Sequence, residues 1–481
     1  MNLETATLTD GRTIKFIPKQ IGAGTMKEVF FTEDKQSVLC FYKDQSLSKD
    51  SERRTRLEKI LKDYNPTITT DQGGQSQTEK EAQAFRTLFC WPTGIVEKPR
   101  FGVMAPAYSP NFYFESGTVK GNEKEGKWFA SPRCRSVLPL EELGHWLNYL
   151  LLCNRMARAV RKMHNMGLAH SDLSSKNILL DPKRGYCSVI DIDSLVVPGI
   201  HPADVLGTRD YIAPEVLATQ HLPLKDDNRF LPSNNTDLHA MAVLIYEYLL
   251  RRHPLSGPKV NSTLSAEEDY RVSMGEKALF IEHPKDGSNR PQELSLTYNV
   301  LGPGLRDLFD KAFIEGLHAP NRRPTAGEWE RAIAQSLDLS IPCGNKNCKE
   351  KWFIYRKGEK PRCPWCGTKI KSRTPVLEFY YMPRDRVISL NHHLTAWNQR
   401  TLHEWHVFSD KNFDERADPT ILADVAFYQG RWILINRKLE DMFSSKGKPV
   451  PIGKATLLED RNEIWLSKKE KGQLVKVSMI P

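Results

Sequence analysis

The chain has 481 residues, of which 40% are hydrophobic and 27% charged. That length exceeds one ordinary domain, and the composition is that of a globular protein without a low-complexity tract. The net charge of +10 is spread thinly over ERRTR (52–56), KSR (371–373) and KKEK (468–471), which favours solvated basic faces over a dedicated nucleic-acid site. No stretch has the apolar length of a membrane span, and MNLETATLTDGR lacks the apolar core of a signal peptide. The expectation is a soluble, cytoplasmic protein with no membrane partner. Five cysteines are scattered (Cys40, Cys90, Cys134, Cys153, Cys187) and read as reduced packing residues, while four more cluster between 343 and 366.

In chain order, residues 12–43 alternate like strands around Gly22 and Gly24. Residues 49–64 and 78–89 read as helices, with stripes Leu57, Ile60, Leu61, Tyr64 and Ala82, Phe85, Leu88, Phe89. NPTITTDQGGQSQ between them reads as a loop. CWPTGIVEKPRFGVMAPAYS predicts two short strands, and the polar stretch 115–135 predicts a surface insertion. LEELGHWLNYLLLCNRMARAVRKMHNMG is a long helix stopped at Gly167. ILL and CSVID are short strands about the turn DPKRG, and DLHAMAVLIYEYLLRRHP is a buried helix. The helical pattern ends near Leu339. Residues 374–481 read as short strands.

The segment HSDLSSKN (170–177) has the spacing H-x-D-x-x-x-x-N, and Asp191 follows beyond a strand turn. A hairpin would bring Asn177 and Asp191 to one end, where an amide oxygen and a carboxylate suit Mg²⁺ (or Mn²⁺). Asp172 beside them is placed to accept a hydroxyl proton or orient a nucleophile. In IGAGTMKEV, Gly22 and Gly24 leave bare backbone for phosphates. GTRDYIAPE (207–215) follows, then the helix that Asp237 begins, then RRPT (322–325), whose Arg323 is expected to pair with Glu215.

Through HSDLSSKN, DID (191–193), GTRDYIAPE and the Asp237 helix, the chain resembles the protein kinase superfamily over roughly residues 10–338. YNPT, FCWPTGIV and the later cysteines resemble more narrowly a group of bacterial serine/threonine kinases. Those occur with von Willebrand A-type proteins and metal-dependent phosphatases of tellurite-resistance-like systems. The resemblance implies an α+β, bilobal protein-kinase-like fold over 1–340 (N-lobe about 10–108, C-lobe about 136–338), ATP with Mg²⁺, and transfer to a protein hydroxyl. Asp172 would be the catalytic base, Asn177 and Asp191 the metal ligands, and Val29 would cover the adenine. Thr208 would mark a serine or threonine acceptor, and Lys176 would neutralise the γ-phosphate.

Four departures from the pattern bear on activity. Ser171 replaces an arginine that reads activation-loop phosphate. Asp193 stands where a glycine is usual, as a second metal ligand or a stiff hinge. The phosphate-binding lysine is Lys43, favoured on distance from Gly22, or Lys27 if the register puts Cys40 at the lysine position. Its helix partner is Glu58 or Glu81. Because Asp172, Asn177 and Asp191 are all kept, an active serine/threonine kinase is the favoured reading. A pseudokinase scaffold and a small-molecule phosphotransferase are the alternatives.

CGNKNC and CPWC give C-x₄-C-x₁₄-C-x₂-C. Four thiolates (Cys343, Cys348, Cys363, Cys366) can close a structural tetrahedron about Zn²⁺, and an iron–sulfur site or a redox pair is the alternative. A zinc ribbon is expected over 341–372 and a β-rich interaction domain over 373–481. In the latter, His392-His393 and His403-x-x-His406 read as packing or surface residues before they read as metal ligands.

Overall fold

The computed structural model describes residues 2–24, 26–69, 77–197, 207–223, 226–294, 296–383 and 386–480, without the side chain of residue 23. Part of the expected loop after Tyr64 and the segment before Gly207 lie outside the described residues. The chain divides into two compact units. One comprises 1–144, 155–294 and 309–327, and the other 145–154, 295–308 and 328–481. Compactness therefore groups residues differently from the expected succession 1–340, 341–372 and 373–481.

The first unit begins with six antiparallel strands: β1 (Glu4–Leu8), β2 (Thr13–Ala23), β3 (Lys27–Thr32), β4 (Ser37–Tyr42), β5 (Gly94–Lys98) and β6 (Gly102–Pro106). They close in the order β1-β2-β3-β4-β6-β5. The period-2 pattern sends Phe16, Phe30, Leu39, Phe41 and Met104 into the barrel. There the Phe16 ring meets Phe30 and Phe41 edge-on at 5.9 and 5.7 Å. Opposite faces of the same strands carry Val29, Cys40 and Tyr42, with Val29 paired to Cys40 and Lys27 to Tyr42. Truncating one of the barrel phenylalanines to Ala would cost about 3–5 kcal/mol.

Between β4 and β5 lie two helices, α1 (Ser51–Leu61) and α2 (Glu79–Arg86). Asp50 caps the first by accepting from the Arg53 amide, and Thr78 and Glu81 form a reciprocal capping box on the second. Leu57, Ile60, Ala82 and Phe85 are buried, as their spacing predicts. The Trp91 indole donates to the Ile60 carbonyl at 2.8 Å, fixing α1 to the entry of β5.

Helices Trp146–Asn165 and Asn234–Leu250 and the hairpin β7 (Ile178–Asp181) and β8 (Tyr186–Val189) follow. The stretch 115–135 corrects the expectation of a loose surface insertion. The Gly126 and Lys127 amides donate to Ile178 and Ser175 carbonyls, and Leu180 donates to Lys124. Lys124 is buried and pairs with Glu142 at 3.0 Å. The polar sequence hid this because backbone, not apolar side chains, makes the pairing.

In the second unit, strands Ser340–Pro342 and Trp352–Ile354 pair beside the clustered cysteines. Residues 375–479 form two four-stranded antiparallel sheets around Leu377, Leu394, Val425, Leu434 and Val475.

Candidate active site and cysteine cluster

The site grows from the turn before β7. Residues His170 and Ser171 donate their amides to the two oxygens of buried Asp237, at 2.7 and 3.1 Å. The ring of His170 donates to the Ile190 carbonyl at 2.9 Å. These bonds tie the segment holding Asp172 to the Asn234–Leu250 helix and to the residue preceding Asp191. Ser171 and Asp191 both sit in the left-handed region, each with φ of 64°. That costs a non-glycine residue about 1–3 kcal/mol and is held by the surrounding bonds.

Asn177 donates its amide to the Asp172 carbonyl at 2.8 Å and to Asp172 Oδ2 at 3.0 Å. Its own carbonyl accepts from the Ile190 amide at 3.0 Å. Asp172 Oδ1 is buried without a hydrogen-bond partner. A buried lone carboxylate oxygen is costly, and a substrate hydroxyl would satisfy it.

The lysine question is answered by register. Lys27 opens β3 directly across from Tyr42, and its Nζ lies 2.5 Å from Asp191 Oδ1 and 2.7 Å from Asp193 Oδ1. Burial opposes its charge, but the two carboxylates hold its pKa well above the ordinary lysine value. Asp193 is raised by burial, yet Lys27 and the Tyr42 hydroxyl leave it lowered overall. Lys43 lies past the end of β4 with an exposed side chain, outside this cluster. The structure thus places Lys27, and not the favoured Lys43, beside the two carboxylates. Cys40 lies across from Val29, and burial pushes its thiol up to about 12.

The remaining expected residues are less convergent. Glu58 is exposed, and Glu81 is buried and takes part in the capping box of α2, while the carboxylates recorded on Lys27 are Asp191 and Asp193. Glu58 lines a separate cavity of about 1280 Å³ with Leu61, Trp91, Tyr108 and Phe112, which none of the four clustered residues borders. Lys176 is exposed. Thr208 accepts at its carbonyl from the Tyr211 amide, and no bond from it to Asp172 occurs among the described residues. Gly22 pairs with Val29, and a Cβ on Gly24 would meet nothing within 4 Å. Arg323 makes the expected two-pronged pair with Glu215, at 2.8 and 2.7 Å. Sequence reasoning missed Tyr42, whose hydroxyl donates to Asp193 Oδ2 at 2.5 Å. Its only sequence signal was its place two residues after Cys40.

In the second unit, the sulfurs of Cys343, Cys348, Cys363 and Cys366 lie within 4.8 Å of one another, with pairs at 3.5 and 3.9 Å. A tetrahedron of Zn–S bonds demands sulfurs about 3.8 Å apart, so the donor set fits Zn²⁺. A second group, Asp338, His392 and His406, also converges. There His406 Nδ1 accepts from the His403 amide at 3.0 Å. The ring proton therefore sits on Nε2 and points at Asp338. His392 donates to Asp338 Oδ2 at 2.7 Å, and Arg400 pairs with Oδ1. The carboxylate thus receives three donors, which accounts for its burial without an ion.

Residues 148–329 match the family model of the protein kinase domain. Citron rho-interacting kinase of Rattus norvegicus is 32% identical over 146 residues, 30% of this chain and 6% of that protein. Serine/threonine-protein kinase PSK2 of Saccharomyces cerevisiae is 29% identical over 105 residues, 22% of this chain and 9% of that one. Serine/threonine-protein kinase mph1 of Schizosaccharomyces pombe is 25% identical over 174 residues, 34% of this chain and 25% of that one. The chain thus spans a quarter or less of the length of these relatives. The kinase domain of a Toxoplasma gondii rhoptry antigen aligns over 69% of this chain and 86% of its own, at 16% identity and a TM-score of 0.40, too low to weigh.

Proposed function

From a chain that carries a protein kinase domain over residues 148–329, we propose an ATP- and Mg²⁺-dependent serine/threonine protein kinase. The observation that carries this reading is a linked set: Asn177 bonds Asp172, the Asn177 carbonyl takes the amide of Ile190 next to Asp191, and Lys27 pairs with Asp191, with a lone buried oxygen on Asp172. Asn177 and Asp191 would hold Mg²⁺, which when bound neutralises charge on the phosphoryl group being transferred. Asp172 Oδ1 takes the proton of the acceptor hydroxyl. The hydroxyl oxygen bonds to the γ-phosphorus, the bond from that phosphorus to the β–γ bridging oxygen breaks, and ADP leaves. Lys27 supplies the fixed cation for the phosphates. Gly22, Gly24 and Val29 form the roof.

The four cysteines would hold a structural zinc, with no open position for chemistry. The β-rich sheets that follow serve partner binding in this reading. Bacterial origin, and a von Willebrand A-type protein or a metal-dependent phosphatase as partners, rest on the sequence resemblance alone. No described helix is long and apolar enough to cross a membrane.

The test is label transfer from ATP to a generic protein acceptor. Wild type should transfer, and Asp172→Asn should lose about a hundredfold or more, the weight of a general base. Equal transfer by the variant defeats the assignment. Label on a small acceptor instead of protein favours the metabolite kinase.

A further inference from the structure

Lys27 is held from two directions. Asp191 takes it at 2.5 Å, and Asp193 takes it with both oxygens, at 2.7 and 3.0 Å. Asp193 is 6% exposed and receives the Tyr42 hydroxyl on the far side. Tyr42, the last residue of β4, in turn packs against α1. Its ring clusters with Leu57, Ile95, Phe101 and Val103, and the Arg53 guanidinium of α1 lies 5.3 Å above it. A continuous contact path therefore runs from α1 through Tyr42 and Asp193 to the Lys27 ammonium.

We propose that Asp193 and Tyr42 are positioning residues for Lys27, coupling α1 to the phosphate-binding cation. This rests on the kinase reading above. The physical need is specific. A divalent ion on Asp191 would draw its charge away from the ammonium that its Oδ1 now holds. Asp193 keeps Lys27 paired when Asp191 turns to the metal, and Tyr42 keeps Asp193 in place. Asp193 is thus neither a spare metal ligand nor a bare hinge, because its two oxygens are already committed to Lys27 and Tyr42.

The test compares wild type, Tyr42→Phe, Asp193→Asn, Lys27→Met and the Asp193→Asn/Lys27→Met double variant in Mg²⁺- and ATP-dependent label transfer. Phe keeps the ring against Phe101 and Leu57, and an unchanged melting temperature checks that it folds. Tyr42→Phe and Asp193→Asn should each lower kcat about tenfold, the scale of one charge-assisted hydrogen bond, with less change in the KM for ATP. Both should need more Mg²⁺ for half-maximal rate, since Lys27 then leans on Asp191 alone. The double variant should be no slower than Lys27→Met, because Asp193 acts through Lys27. Folded single variants with wild-type kcat and Mg²⁺ requirement, or a double variant that loses the product of the two single effects, would overturn the proposal. A wild type without turnover strikes the kinase reading and takes the proposal with it. An active wild type with indifferent variants strikes the proposal alone.

Discussion

Lys27 and Lys43 differ by a decision that one strand's register makes. Local spacing favoured Lys43, yet the regular β3–β4 pairing brings Lys27 opposite Tyr42 and beside Asp191 and Asp193. Register of this kind is set between strands and leaves no local mark in sequence. By contrast, the neighbourhood of Asp172, Asn177 and Asp191 was legible because a turn and its hairpin are local and their spacing is fixed. The consequence is a sharp pair of outcomes. Lys27→Met should lower kcat/KM about a hundredfold or more, as loss of a preorganised charge does. Lys43→Met, in exposed surroundings, should stay near wild type. Steady-state label transfer by the two purified variants distinguishes them, and a reversed order would return the cation's role to Lys43.

At the scale of elements, hydrophobic period served well where apolar faces build the structure, as in α1, α2 and the barrel strands. It failed for 115–135, where Gly126 passes close to other atoms. A Cβ there would lie 1.9 Å from Tyr248 Oη and 3.0 Å from the Ser175 carbonyl. Gly126→Ala should therefore cost about 1–3 kcal/mol by overpacking, read as a lowered denaturation midpoint with the m-value unchanged. The Asp338 knot gives a pH prediction. Burial lowers the His406 pKa to about 4, against an unfolded value near 6.5. A lowered histidine pKa means the unfolded state binds the proton first, so stability present above pH 6.5 is lost as pH falls towards 4. The loss is about 3 kcal/mol at most, by the linkage of pKa to stability. Asp338 is raised by burial but held far below the carboxylate range by His406, His392 and Arg400, which adds further loss below its unfolded value near 3.9. Amide exchange in strands Pro375–Tyr381 and Ile388–Thr395 should rise between pH 6.5 and 4, once corrected for intrinsic rates. Exchange that stays flat over that window would contradict the account.

For the whole molecule, the cysteine spacing was legible because metal ligation needs little but four thiolates at fixed offsets. The grouping of 145–154, 295–308 and 328–481 was not, since compactness is set by packing that brings distant segments together. The small module around Ile341, Phe353 and Cys363 has few apolar residues of its own. Purified protein should carry one zinc ion per chain by elemental analysis. Chelation, or Cys348→Ser, should open amide exchange across 340–372, and a chain that keeps its protection without metal would refute the structural role. The kinase reading itself meets its most direct trial in one measurement: mapping of labelled phosphate after incubation with ATP, Mg²⁺ and a protein acceptor, for wild type and Asp191→Ala. The account predicts label on serine or threonine with wild type and none above background with the variant. Equal labelling by both would contradict it.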